Sequence, residues 1–152
     1  MIVSPTIAAR TALTLILLVG ANMPAASGDK IEVANVDVII QDNPLPPGGA
    51  TASIVASIRA NDAEIGVLVM SKNRLHHHDH QDHVLYLVRG DGTARLENAT
   101  GQIETRSIKP GDILSLPRGR KHGFEKTGSD DLVFLVIATA LPSGIEETTY
   151  DD

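Results

Sequence analysis

Apolar residues in this 152-residue chain fall in short runs, many alternating with polar neighbours and separated by turn-forming residues, with no long stretch at the 3.6-residue period of a helix. Runs of this kind cover 32–40 (EVANVDVII), 51–58, 64–70, 83–88, 93–98, 103–108, 112–117, 122–126 and 132–140. From 41 to 49 the stretch QDNPLPPGG holds prolines and glycines that forbid regular structure, so it reads as a loop. RGDG, ATGQ, KPGD and PRGRK mark the later turns. Eight or more short strands at spacings of about ten residues predict an all-β sandwich or barrel in a single domain.

Two runs are apolar on both faces. In HVLYLV, Leu85 and Leu87 alternate with Val84, Tyr86 and Val88; in LVFLVIATA, Phe134 and Val136 alternate with Leu135 and Ile137. A strand with one wet face shows polar residues at every second position, so both runs are expected to be covered twice. The second cover is either another strand of the chain or a second subunit, and a homodimer is the expected assembly.

Composition narrows the function classes. A hydrophobic share of 42% suits a domain with a real core, whereas 3% aromatic residues, no Trp and a net charge of −6 argue against a nucleic-acid surface. The opening MIVSPTIAARTALTLILLVGANMPAASG has one cation, Arg10, a short apolar run and then small residues, with Ala25 and Ser27 placed for cleavage before Gly28. It reads as a secretory signal peptide over 1–27, the run being roughly half the length of about 20 apolar residues that a membrane span needs. The expected location is periplasmic or secreted, with no stable membrane anchor after cleavage. There are no cysteines, so a metal would have to be held by imidazole, carboxylate or backbone oxygen.

The six histidines are not scattered: five lie between 76 and 83, in HHHDHQDH, and the sixth is His122. On a strand, His76 and His78 share a face, with His80 in phase if the strand persists, and His77 and Asp79 face the other way. His83 opens the next strand and can return beside them, and His122 comes after the turn made by Pro117 and Gly119. One reading converges four imidazoles from three strands on one ion, leaving positions for water or a ligand. The competing reading is a solvated, weakly chelating surface tract. Asp79 and Asp82 are candidates to hydrogen-bond the distal ring nitrogens. Arg89, Arg118, Arg120 and Lys121 form a basic fringe that reads as a solvated rim or a lure for an anionic substrate. Tyr86 and Glu125, acid–base candidates by position, alternate against His83 and His122 and should point away.

These residues resemble the two motifs of the cupin superfamily, G(X)5HXH(X)3,4E(X)6G and G(X)5PXG(X)2H(X)3N. The first falls on His76, His78, the spacer DHQD, His83 in the glutamate position and Gly90; the second falls on Gly111, Pro117, Gly119 and His122. Met70 stands where the first motif opens with glycine, and Lys126 where the second closes with asparagine. The resemblance covers roughly 50–140. It implies a jelly-roll barrel, the double-stranded β-helix. Together with the reading of the flanking residues, the expected layout is signal peptide 1–27, N-terminal strand and Pro/Gly-rich loop 28–49, cupin barrel 50–142 and acidic, mobile tail 143–152.

The resemblance also implies a divalent transition metal (Mn, Fe, Zn, Ni or Cu) on His76, His78, His83 and His122. His83 in place of a carboxylate makes the site similar to four-histidine cupins; an all-neutral donor set leaves the ion its full charge as a Lewis acid. The activity implied is that of a metalloenzyme acting on a small oxygen-bearing molecule by dioxygenase-like or by lyase- or isomerase-like chemistry. The alternative is a non-catalytic module that binds or senses a metal or small ligand, which the surplus His77 and His80 favour. Imidazoles must be neutral to bind a metal, so affinity is expected to fall below a pH of about 6.

Overall fold

The computed structural model describes residues 33–45, 52–60, 63–139 and 148–151. The expected signal peptide lies outside the described residues, as does part of the Pro/Gly-rich loop. Among the described residues one helix, α1 (Val36–Asp42), precedes ten strands: β1 (Ala52–Ala60), β2 (Ala63–Met70), β3 (His76–His78), β4 (His83–Arg89), β5 (Gly92–Glu97), β6 (Ile103–Ile108), β7 (Ile113–Leu116), β8 (His122–Lys126), β9 (Leu132–Thr139) and β10 (Thr148–Tyr150). No helix among the described residues is long and apolar enough to cross a membrane.

The strands form two five-stranded antiparallel sheets, ordered β1-β2-β9-β4-β7 and β10-β3-β8-β5-β6. The inward faces supply alternate residues to one core: Met70, Leu85, Leu87, Ala94, Ile108, Leu114, Leu116, Phe124, Leu132, Phe134 and Val136. The all-β double-stranded β-helix expected from the sequence is therefore present. A closed barrel is not. Among the described residues the sheets face each other without a ladder joining their edges; after β2 the chain crosses over, and Lys72 makes an isolated bridge to Glu125.

Two expectations are corrected. The run 32–40 has the composition of a strand, but from Val36 onward it is helical. Asn35 caps the helix by accepting from the Asp37 and Val38 amides, Asp37 adds a carboxylate to the first turn, and Asn43 and Pro44 end it. Val36, Ile39 and Ile40, at the i, i+3, i+4 spacing of a helical stripe, pack on Val67, Val69 and Val133. The helix is thus the second cover for part of the first sheet. The tail, expected to be mobile, instead pairs Thr148–Tyr150 with β3 as the edge strand of the second sheet.

Candidate metal centre

The site begins with a single antiparallel pair, His76 on β3 opposite His122 on β8. Partners in such a ladder project to the same face, and His78 joins them two residues on. All three point into the space between the sheets and are buried. Each offers a ring nitrogen, and these ligand atoms all lie within 4.8 Å of one another. Ring centroids are separated by 4.4 Å for His76 and His122, 5.0 Å for His76 and His78, and 5.2 Å for His78 and His122.

The turn before His122 sets this register. Gly119 has φ +72°, a left-handed conformation that suits glycine, and its amide donates to the His78 carbonyl at 2.8 Å. The second motif is thereby stitched to the first. At Gly90 (φ +86°), a Cβ would meet the Asp131 carbonyl oxygen at 2.5 Å, so the bend after β4 has no room for a side chain.

Ring orientation is set by hydrogen bonds. His76 Nδ1 lies 2.9 Å from the Arg74 carbonyl oxygen, and His122 Nδ1 lies 2.9 Å from that of Arg120. A carbonyl only accepts, so both Nδ1 atoms carry the proton and both Nε2 atoms keep a lone pair for a ligand. His78 Nδ1 stands 3.4 Å from the Thr148 hydroxyl. Burial pushes the His122 pKa down to about 3, and the neighbouring His76 adds to the shift; its imidazole is therefore neutral at ordinary pH. Three buried imidazoles with convergent ligand atoms, two with tautomers fixed by carbonyls, fit a divalent transition metal.

His83, at the start of β4 in the opposite sheet, is also buried, and its ring centroid is 4.2 Å from that of His78. Its ligand atoms are not in the close group of three. Instead its Nε2 is 3.4 Å from Gln81 Oε1. Gln81, itself buried, donates through Nε2 to the Thr139 carbonyl at 2.7 Å, which turns its carbonyl oxygen toward His83. Nothing in the composition of the spacer DHQD singles out Gln81 for this role.

Other sequence expectations resolve differently. Asp79 does not serve a close-group histidine; it takes His77 Nε2 at 3.2 Å and the Thr149 hydroxyl at 2.9 Å. Asp82 forks onto Arg118, at 2.7 Å from its Nη2, which holds the exposed Asp82 carboxyl down to about 2. The distal nitrogens of His76 and His122 go to main-chain carbonyls instead. His77 faces outward, where the hydrogen-bonded Asp151 carboxylate raises its pKa; His80 is exposed. The basic fringe is paired: Arg89 with Asp37, Arg118 with Asp82, Arg120 with Glu97 and Lys121 with Asp151. Tyr86 is exposed on the outer face, and Glu125 pairs with Lys72 at 3.2 Å, so neither enters the site.

Comparison with known proteins agrees with this geometry. A family model described as "Cupin domain" matches residues 69–138, a span holding His76, His78, His83 and His122. An acireductone dioxygenase of Gluconacetobacter diazotrophicus is 31% identical over 106 residues, covering 69% of this chain and 57% of that protein. An acireductone dioxygenase of Gluconobacter oxydans is 29% identical over 130 residues, covering 85% of this chain and 68% of that protein. The chain thus spans little more than half the length of the first relative and about two thirds of the second. Among solved structures, a Klebsiella pneumoniae protein with a double-stranded beta-helix domain superposes with a TM-score of 0.62 at 16% identity, over 84% of this chain and 98% of that one. With His76, His78 and His122 on one sheet of a double-stranded β-helix, His83 on the facing sheet and the domain match spanning all four, the chain belongs to the cupin superfamily.

Proposed function

We propose that this chain is a metal-dependent enzyme acting on a small oxygen-bearing organic molecule, with dioxygenase-like chemistry favoured over lyase- or isomerase-like chemistry. The observation that carries this reading is the buried group His76, His78 and His122, with its ligand atoms within 4.8 Å of one another. The relatives named acireductone dioxygenase support the choice of chemistry. His83 is proposed as the fourth donor, exchanging its contact with Gln81 for the ion.

A divalent ion bound there supplies Lewis acidity, undiminished by any anionic donor. The chain's own residues do the rest. The Arg74 and Arg120 carbonyls hold protons on the outer ring nitrogens, so the inner ones stay available. Phe124, packed 6.0 Å from His122 and 5.2 Å from Phe134, walls the histidines off from water on the core side. The paired rim leaves substrate recognition to the metal and its near surroundings rather than to a long-range charge.

Export is a further part of the proposal, resting on the composition of 1–27; intact mass of protein recovered from outside the cytoplasm tests it, and a full-length mass there removes cleavage from the reading. A non-catalytic metal-binding module is less well supported, because His77, one of its surplus histidines, is engaged by Asp151 and Asp79.

The test is elemental analysis of untagged protein purified without a metal column, and then oxygen-electrode measurements with small diketones and enediols. We expect close to one transition-metal ion per chain and oxygen uptake with at least one such compound. His122→Ala should abolish metal retention, His83→Ala should weaken it, and His77→Ala should keep most of it. Equal losses in all three would return the histidines to a surface tract. Full affinity in His83→Ala would leave three donors, and ready release to a mild chelator without oxygen uptake would favour the binding module.

A further inference from the structure

The C-terminal strand meets the candidate centre from two sides. On the inner side, the β3–β10 ladder sets Thr148 opposite His78 and Tyr150 opposite His76. Opposed residues share a face, so both project toward the site: the Thr148 hydroxyl is 3.4 Å from His78 Nδ1, and the Tyr150 ring is 6.0 Å from that of His76. The Arg74 guanidinium sits 4.8 Å over the Tyr150 ring, anchoring it at the start of β3.

On the outer side, Asp151 bridges both ligand-bearing segments. Its Oδ2 is 2.8 Å from His77 Nδ1, and His77 stands between His76 and His78. Its Oδ1 is 2.9 Å from Lys121 Nζ, and Lys121 immediately precedes His122. The Asp151 amide donates to the Leu75 carbonyl at 3.0 Å, and the Thr149 hydroxyl donates to Asp79 at 2.9 Å. One carboxylate therefore ties together the neighbours of all three grouped histidines, although β3 and β8 share only one residue pair.

We propose that β10 with Asp151 is a positioning strap of the metal centre: Asp151 holds the two histidine-bearing segments in register, and Thr148 orients the His78 ring. The strap rests on the metal-centre reading above. Neither residue touches the reacting atoms; both act through the ligands. Since the strap favours the metal-ready arrangement, bound metal must favour the docked strap by the same factor.

The experiment is titration of the full-length, metal-stripped protein with Co(II), monitored by its visible absorption bands, together with hydrogen exchange at 148–151 with and without Zn(II). Asp151→Ala is expected to weaken Co(II) binding by about 10–100-fold and to change the visible spectrum, as loss of a ligand-orienting partner does. Thr148→Val should weaken binding by about tenfold, and Thr148→Ser, which keeps the hydroxyl, should restore both affinity and spectrum. Arg106→Ala, whose guanidinium pairs with Glu104 at the far edge of the second sheet, should leave both unchanged. Zn(II) should slow exchange of the 148–151 amides.

Wild-type affinity and spectrum in both Asp151→Ala and Thr148→Val, with His122→Ala abolishing binding, would overturn the strap and leave the metal centre standing. Wild-type protein that binds no Co(II) would overturn both. Should Asp151→Ala fail to fold, the Thr148 pair decides: loss in Val with rescue in Ser supports the strap, and no difference between them overturns it.

Discussion

His122 is only 3% exposed, and burial holds its imidazole neutral down to a pH of about 3. In the unfolded chain the same group titrates near its ordinary value of about 6.5. Between those values the unfolded state binds the extra proton, so the stability linked to His122 is intact above a pH of about 6.5 and falls as pH drops toward about 3. This one site should cost metal-free protein about 2 kcal/mol between pH 7 and pH 5. Urea unfolding at the two pH values measures it, and His122→Gln should flatten the slope; equal slopes would remove His122 as the cause. His77 works in the opposite sense: with its pKa raised by Asp151, its smaller contribution is present at low pH and is lost as pH rises through the folded value. The close-group histidines are legible in the sequence because two share a strand face and the third comes after a proline–glycine turn. Gln81 is not, since nothing local says that a spacer glutamine will reach Thr139, 58 residues away. The partners of Asp79 and Asp82 are equally hidden, because adjacency in sequence does not fix direction in a corner.

Among the elements, strands β4 to β9 are readable to within a residue or so, because turn residues bound each run and, in β4 and β7, one buried face enforces alternation. α1 reads as a strand because valine and isoleucine favour strands, while the information that makes it a helix sits in Asn35 and in the 36, 39, 40 spacing. Asn35→Ala should destabilise the protein by about 1 kcal/mol, with Asn35→Asp or Asn35→Ser recovering most of it, as measured by urea denaturation. No loss would mean that packing on Val67, Val69 and Val133 holds the helix without its cap. The tail strand is three residues long and lies in an acidic stretch, too short for any periodicity to register. Its threonines and tyrosine have strand-favouring side chains, but only the neighbouring β3 gives them a partner.

Across the whole molecule, the double apolar character of 83–88 and 132–140 is only partly answered by α1. Val84, Tyr86, Ile113 and Ile137 remain exposed on the outer face of the first sheet, and they adjoin through the pairs Tyr86↔Ile113 and Val84↔Ile137. Ile113 is 72% exposed. We propose that a second copy of the chain covers this face, as contiguous apolar patches on soluble domains mark contacts. Sedimentation velocity should find a dimer, and Ile113→Lys with Tyr86→Lys should give a monomer; a monomeric wild type would end that reading. The contacts that complete the histidine strand come from far along the chain, 70 residues for Thr148 with His78 and 74 for Asp151 with His77. During synthesis, HHHDHQDH leaves the ribosome long before those companions exist. Final assembly of this centre must await residues 148–151, so a nascent chain stalled at position 140 would carry the full set of histidines with one flank still bare.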